Sequence, residues 1–240
     1  MPRFFIENAN EKEIVLTGEN ARHIGRSLRM RVGDKLTLCC EGVDHDCEIA
    51  AFTDSEVFCR VLTVHPCESE PATKLTLFQA MPKNDKAELI VQKAVELGAC
   101  EVTFVNTERC VSRPDEKSFK KRLERLSKIS LEAAKQCGRG IIPKISGIIT
   151  INELLSRLPE YDKALICYEK GGNALSQAGI EKGQRIALFI GSEGGFAPGE
   201  AAAFKSAGGE IIGLGARILR CETAPIAAIS VIMSLAGELE

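Results

Sequence analysis

Four charged side chains near the C-terminus sit where a connecting turn would need none. Glu193 lies inside Gly191-Ser-Glu-Gly-Gly195, and Arg217, Arg220 and Glu222 lie inside Leu214-Gly-Ala-Arg-Ile-Leu-Arg-Cys-Glu-Thr-Ala224. Glycines let the backbone turn sharply and approach a ligand closely. Arginine adds a permanent charge with several donors, suited to an anion that forms during a reaction. Either loop alone reads equally well as turn punctuation. Two such loops, each carrying charge, point to a ligand crevice.

The elements that must hold these loops are short apolar runs. Ile186–Ile190 stops at Gly191, and Ile211-Ile212 stops at Gly213-Leu-Gly215. Runs of this kind suit strands buried on both faces of a parallel sheet. Placed at the carboxyl ends of adjacent parallel strands, the two loops would form a crevice of the kind open α/β sheets use for ligands. The familiar nucleotide motifs do not fit. No G-x-x-x-x-G-K-[ST] occurs, and Gly213-x-Gly215 lacks the third glycine of a dinucleotide fingerprint and lies far from a first βαβ unit.

The two C-terminal stretches resemble the RsmE family, 16S ribosomal RNA uridine-N3 methyltransferases of the SPOUT class. Pro82-Lys-Asn-Asp-Lys-x-Glu-Leu-Ile-Val-Gln-Lys-x-x-Glu-Leu-Gly98 and Glu132-Ala-Ala-Lys-Gln-Cys-Gly-Arg139 are similar to the family's other signatures, so the likeness covers nearly all of 72–240. Ser192 stands where the family usually has proline and Cys221 where threonine is usual; both are small. The resemblance implies an α/β fold: a SPOUT-type parallel sheet with a C-terminal trefoil knot (residues 72–240), preceded by a small PUA-like β-barrel that binds RNA (residues 1–68). It also implies S-adenosylmethionine as cofactor, 16S rRNA of the small subunit as substrate, and a homodimer that completes each site across two chains.

On that reading three loops hold adenine and ribose through backbone groups. The first follows Ile166 and contains Cys167 and Tyr168. The second contains Gly191, Glu193, Gly194 and Gly195, and the third Leu214, Gly215 and Cys221. Ile166, Leu214, Ile218 and Leu219 offer an apolar slot for the base. Glu193 either compensates the cofactor's positive charge or caps the helix that follows. Methyl transfer to uridine N3 requires loss of a proton whose pKa lies well above neutrality, and leaves negative charge on the flanking oxygens. Arg220 and Arg139 are the residues to stabilise that charge. Glu222 either orients Arg220 or accepts the proton. All three histidines, His23, His45 and His65, lie in the first 70 residues, so the base is a carboxylate, a water, or a histidine such as His23 of the partner subunit.

Two other classes remain open: a dinucleotide-dependent oxidoreductase using the Gly213-x-Gly215 loop, and a non-catalytic RNA-binding protein with this fold. The missing glycine argues against the first. The charged residues in both loops argue against the second, since binding alone does not need them.

Composition bounds the rest. At 45% apolar and 27% charged residues over 240, the chain can build one large or two smaller globular domains. It has no apolar run of 18 residues, so no spanning helix is expected. Met-Pro-Arg-Phe-Phe-Ile-Glu is too short and too soon acidic for a signal peptide. The ten cysteines show no C-x-x-C and fit buried free thiols in a reducing cytoplasm. The histidines have no ligand spacing, so no metal is expected. The net charge of −2 hides an asymmetry: residues 1–70 carry 8 basic and 13 acidic side chains, whereas 109–144 carry 11 and 4. That second field suits a polyanion.

In chain order, Lys35–Cys40, Cys47–Phe52 and Val57–Val64 are β-rich runs. A helix is predicted over about Glu19 to Met30, putting Arg22, Arg26 and Arg29 on one face for phosphate contact. Pro66–Pro71 reads as a linker. Lys74–Ala80, a helix capped by Asp85 and Gly98, and Val102–Asn106 make a strand–helix–strand unit. The polar loop Thr107–Arg113 brings Arg109 and Arg113. A helix over Ser118–Gln136 brings Lys120, Lys121 and Arg125 to an RNA-facing surface, the alternative being a solvated basic face. Its end, Gln136-Cys-Gly-Arg139, presents Gln136 and Arg139. Ile151–Leu158 is a short helix and Ala164–Cys167 a strand. A helix begins at Pro198, and Thr223 caps an almost wholly apolar last helix, Ile226–Leu239, which must be buried in a core or against another chain.

Overall fold

The computed structural model describes residues 1–10 and 12–239, which divide into two compact units. The first comprises Met1–Glu70 with Ala134–Ile142. Its strands are β1 (Arg3–Phe5), β2 (Glu13–Leu16), β3 (Lys35–Cys40), β4 (Val43–Phe52) and β5 (Val57–Pro66), in the order β1-β3-β4-β5-β2. All pairs are antiparallel except β1 with β3. The hydrogen-bonded ladder stays open between β1 and β2. Inward residues alternate along the strands, and Phe4, Ile14, Leu36, Leu38, Ile49 and Val57 meet in the core.

Helix α1 is only Gly18–Arg22 and continues as a π-helical turn, His23–Ser27. Arg29 follows that turn with φ of 52°, a left-handed conformation that cannot continue a helix. The three arginines therefore do not share one helical face. Arg22 and Arg26 lie in the helical segment and Arg29 beyond it, all exposed.

Residues Ala134–Ile142 belong to this unit because backbone groups tie them there. Glu70 Oε1 accepts from the amides of Gly140 and Ile141 at 2.9 Å each, and Gly140 O accepts from the Gly42 amide at 3.1 Å. A cysteine at position 67 also forces Gly140 to be glycine, since a Cβ there would lie 2.4 Å from the Cys67 Cβ.

The second unit, Pro71–Ala133 with Pro143–Glu240, holds a wholly parallel seven-stranded sheet. Its strands are β6 (Lys74–Ala80), β7 (Glu101–Asn106), β8 (Lys144–Thr150), β9 (Lys163–Cys167), β10 (Asn173–Ala174), β11 (Arg185–Ile190) and β12 (Glu210–Gly213). The order is β10-β12-β9-β11-β6-β7-β8. Strands β6, β9 and β11 are buried on both faces, as their unbroken apolar runs require.

Helices cover the faces: α2 (Lys86–Glu96), α3 (Glu116–Cys137), α4 (Ile151–Arg157), α5 (Pro198–Ser206) and α6 (Thr223–Leu235). Ala87, Ile90, Val91, Ala94 and Val95 form the buried stripe of α2. Gly98, at φ 96°, closes that helix, and a Cβ there would meet Met233 of α6 at 3.1 Å. Helices α2 and α6 pack together. The last helix begins at Thr223, after Glu222, with Pro225 in its first turn; Thr223 is thus its first residue rather than its cap. Its faces are not all covered, as Val231 and Leu235 remain exposed. All ten cysteines are free thiols, each buried or half-buried. Among the described residues no helix is long and apolar enough to cross a membrane.

Candidate functional site

Three loops leave the carboxyl edge of the parallel sheet side by side: 168–172 after β9, 191–197 after β11 and 214–222 after β12. The strands of the two glycine loops are not neighbours, because β9 lies between them. Strand order is set by which apolar run occupies the doubly covered centre, and that is not visible in any single run. The consequence is that Tyr168–Gly172 forms the middle of the crevice.

The glycines have measurable reasons. Gly172, at φ 154°, lies so close to β12 that a Cβ would sit 2.6 Å from the Ile211 carbonyl oxygen. Gly195, at φ 65°, closes a turn by donating to the Ser192 carbonyl at 3.0 Å. A Cβ on it would meet the Glu169 carboxylate at 2.7 Å, so the first and second loops touch here. Gly194 packs on the backbone of Arg109, whose Nη1 donates to Gly194 O at 3.2 Å. The Ser192 hydroxyl, in a buried residue, donates to Arg109 O at 3.4 Å. Beneath the second loop, buried Gln79 donates to Gly191 O at 3.2 Å.

Helix α5 is capped by Glu200. Its carboxylate accepts from the Ala197 amide at 2.9 Å and from the Glu108 amide at 2.7 Å. Glu193 therefore does not cap the helix that follows it. It turns the other way and accepts from the Lys83 amide at 3.2 and 3.3 Å.

The centre of the electrostatics is a residue outside the glycine motifs. Lys86 Nζ lies 3.0 Å from Glu193 Oε1 and 3.0 Å from Glu222 Oε2, joining a carboxylate from the second loop to one from the third. It also donates to Cys221 Sγ at 3.7 Å, and that thiol donates to Glu222 at 3.3 Å. Hydrogen bonds to Glu193 and then Glu222 raise the Lys86 pKa. Burial pushes both carboxyls up, but the contacts with Lys86 and backbone donors outweigh it, and both lie below the usual carboxylate range. Burial, then the contact with Glu222, pushes the Cys221 thiol up to about 12. The sequence does carry one signal of this role. Lys86 is the first residue of α2, where the helix dipole disfavours a cation.

Other expected residues fall as follows. Ile166 is fully buried within the sheet and supports the crevice from below. Burial pushes the neighbouring Cys167 thiol up to about 12. Tyr168 is half-buried, and its amide donates to Ile212 O at 3.0 Å. Leu214 and Leu219 are half-buried, Gly215 is exposed, and Ile218 is 85% exposed. Arg220 is exposed and, among the described residues, has no ion-pair partner, while Glu222 is engaged by Lys86.

Arg139 lies in the first unit, 3% exposed, with its Nε and Nη2 donating to Glu70 at 3.1 and 2.9 Å. Its guanidinium is thus held in a buried pair, and Gln136, close by in sequence, is exposed. On the basic segment, Lys120 and Lys121 are exposed, as are Arg109 and Arg113; Arg113 Nε donates to Cys110 O at 3.2 Å. Arg125 pairs with Glu88 at 2.9 Å, and Arg122 donates to Asn84 O. Among the described residues no group of three or more His, Cys, Asp or Glu could hold a metal ion.

Two family models match this chain: an RNA methyltransferase domain over residues 68–233 and an RNA methyltransferase PUA domain over 16–62. A protein of Bacillus subtilis (strain 168) named ribosomal RNA small subunit methyltransferase E is 34% identical, covering 97% of this chain and 96% of its own. Among solved structures, a ribosomal RNA small subunit methyltransferase E from Neisseria gonorrhoeae bound to S-adenosyl methionine superimposes with a TM-score of 0.88. It is 30% identical over 98% of each chain. A putative methyltransferase from Legionella pneumophila in complex with the same cofactor gives 0.86 and 29% identity, over 98% of this chain and 97% of that one.

Proposed function

The chain belongs to the RNA methyltransferase family that includes the ribosomal RNA small subunit methyltransferase E proteins, and on that premise we propose that it transfers a methyl group from S-adenosylmethionine to N3 of a uridine in 16S rRNA of the small ribosomal subunit. It acts in the cytoplasm, where subunits assemble. The observation that carries this reading is the division of labour among the charged groups: Glu193 and Glu222 are pinned by Lys86, while exposed Arg220, two residues before Glu222, has no ion-pair partner among the described residues and can meet a substrate.

The three loops fit the cofactor. Glycines 172, 194 and 195 bring backbone so close that side chains would collide with strand β12, with Arg109 and with Glu169, so these loops can offer peptide groups rather than side chains to adenine and ribose. Lys86 offsets one charge of the Glu193–Glu222 pair, and the negative charge that remains, with Glu169, suits a cationic ligand. When bound, the cofactor supplies an electrophilic methyl on a sulfonium, and its thioether leaves neutral. The protein's part is to align donor and acceptor and to exclude water. Arg220 neutralises the charge that gathers on the uracil oxygens once N3 loses its proton. Glu222, held below the usual carboxylate range, serves as Lys86's partner rather than as a strong base.

The 214–222 segment is proposed to be knotted. The 168–172 connection runs from β9 to β10 across β12, which lies between them. A chain leaving β12 must pass that connection, which supports a threaded C-terminus.

The first unit is proposed as the RNA-binding module, with the exposed Arg22, Arg26 and Arg29 contributing phosphate contacts. The protein is proposed to be a homodimer through α2 and α6. Leu89 on α2 and Val231 and Leu235 on α6 are exposed, and the two helices pack together, so they present apolar surface that a second copy would cover. Calorimetry on a sample whose mass is read by light scattering tests both proposals. Binding of S-adenosylmethionine by a dimer is expected. Binding of NADH but not of S-adenosylmethionine would overturn the function, and an active monomer at micromolar concentration would overturn the dimer.

A further inference from the structure

We propose that Lys86 is a positioning residue for the third loop, holding the 214–222 segment in the conformation from which Arg220 is presented. The backbone does little to hold that segment. Strands β11 and β12 are separated by β9, so no ladder joins the second loop to the third. Among the described residues, 214–219 makes no backbone hydrogen bond; the nearest are from the Thr223 and Ala224 amides to Arg220 O, which start α6. Beyond those two bonds, the C-terminal end of the segment is held by side chains. Glu222 reaches Lys86 Nζ at 3.0 Å, and Cys221 lies against the same ammonium. Lys86 in turn is anchored by Glu193 at 3.0 Å and by its place on α2. One ammonium therefore ties the third loop to the second and to the helix below. The side chains of Lys86, Glu193 and Glu222 keep 28%, 26% and 17% of their surface in solvent, so salt screens these contacts in part.

The inference deepens the methyltransferase reading and rests on it only for the kinetic readout. The test compares Lys86→Met, Lys86→Arg, Glu222→Gln and the double variant Lys86→Met/Glu222→Gln in the full chain. Hydrogen exchange without ligand is the first readout. Lys86→Met should speed exchange of the Thr223 and Ala224 amides, which donate to Arg220 O, by about tenfold, the size of coupling that contacting charged pairs show, with β6 and β11 unchanged. Lys86→Arg should restore most of the protection, because it keeps the charge. In the Glu222→Gln background, Lys86→Met should add little. The second readout is turnover, which should fall with loop protection across the four variants. Unchanged exchange in Lys86→Met, or additive effects in the double variant, would overturn the proposal. If the parent shows no methyl transfer, the exchange result still decides the role of Lys86; if Lys86→Met does not fold, Lys86→Arg and Glu222→Gln carry the comparison.

Discussion

Replacing Arg220 with alanine is expected to lower saturated turnover by about 10²–10³, the cost of losing one preorganised donor to a developing oxyanion. S-adenosylmethionine affinity and melting temperature should stay close to those of the parent protein. The geometry separates the two effects. Leu219 is half-buried and Arg220 is exposed, so adjacent side chains point to different surroundings. The Arg220 backbone is fixed, since its carbonyl accepts from the Thr223 and Ala224 amides at 2.9 Å each. Alanine keeps that anchor. An ion pair with Glu222 would have made Arg220 a structural residue, but Glu222 is held by Lys86 at 3.0 Å.

The pH dependence supplies a second check. Glu193 and Glu222 have folded pKa values below the 4.5 of an ordinary glutamate. Their contribution to the fold is therefore fully present above that value and is lost as pH falls through the depressed folded values. Between about pH 6 and 9 these two carboxylates do not titrate, so a rate that rises with pH in that range reports deprotonation of uridine. The Arg220→Ala variant should accordingly recover part of its turnover at raised pH. Lost cofactor binding with no recovery at high pH would refute the catalytic role.

Reversing Lys117, Lys120 and Lys121 to glutamate is expected to weaken RNA binding steeply at low salt and to flatten its salt dependence. The log–log slope should fall by roughly 1 for every phosphate that one of these lysines neutralises in the parent protein. These lysines are chosen because they are exposed on α3 and, among the described residues, have no ion-pair partner. Arg122 and Arg125 on the same helix are engaged by Asn84 and Glu88 and would mix folding effects into the result. Filter binding of a 16S rRNA fragment across a salt series measures the slope. An unchanged affinity and slope would make α3 a solvated basic face.

Burial explains which elements are legible in the sequence. Strands β6, β9 and β11 can be read there because burial on both faces demands unbroken apolar runs. Strand β10 cannot: Asn173 and Ala174 are exposed and become a strand only by pairing with Ile212 and Gly213. The short β1 and β2 are hidden for a related reason, since three or four residues carry too little pattern. The helix expected over Glu19–Met30 ends early, after Ser27, ahead of a left-handed Arg29 that nothing in the residue types announces. At the site, the glycine loops and their charges are visible as local motifs. Their order across the sheet is not, because it depends on which run wins the centre. Nor is the engagement of Arg139, which sits 69 residues from Glu70 in sequence. Lys86 lies more than 100 residues from both of its carboxylates; its place in the Pro82–Gly98 signature marks the stretch but not the partners, and the cost of a cation at a helix start is the physical hint of one.

Methylation at N3 of a uridine can be observed outright. The protein is incubated with S-adenosylmethionine carrying a labelled methyl group and with small ribosomal subunits or free 16S rRNA, both taken from cells lacking the activity. Digestion to nucleosides and mass spectrometry then locate the label. The expected result is 3-methyluridine as the sole labelled nucleoside, formed by the parent protein and greatly reduced with Arg220→Ala. Label on another base or another atom of uridine, or no transfer to either substrate by a protein that binds the cofactor, would contradict the proposed reaction.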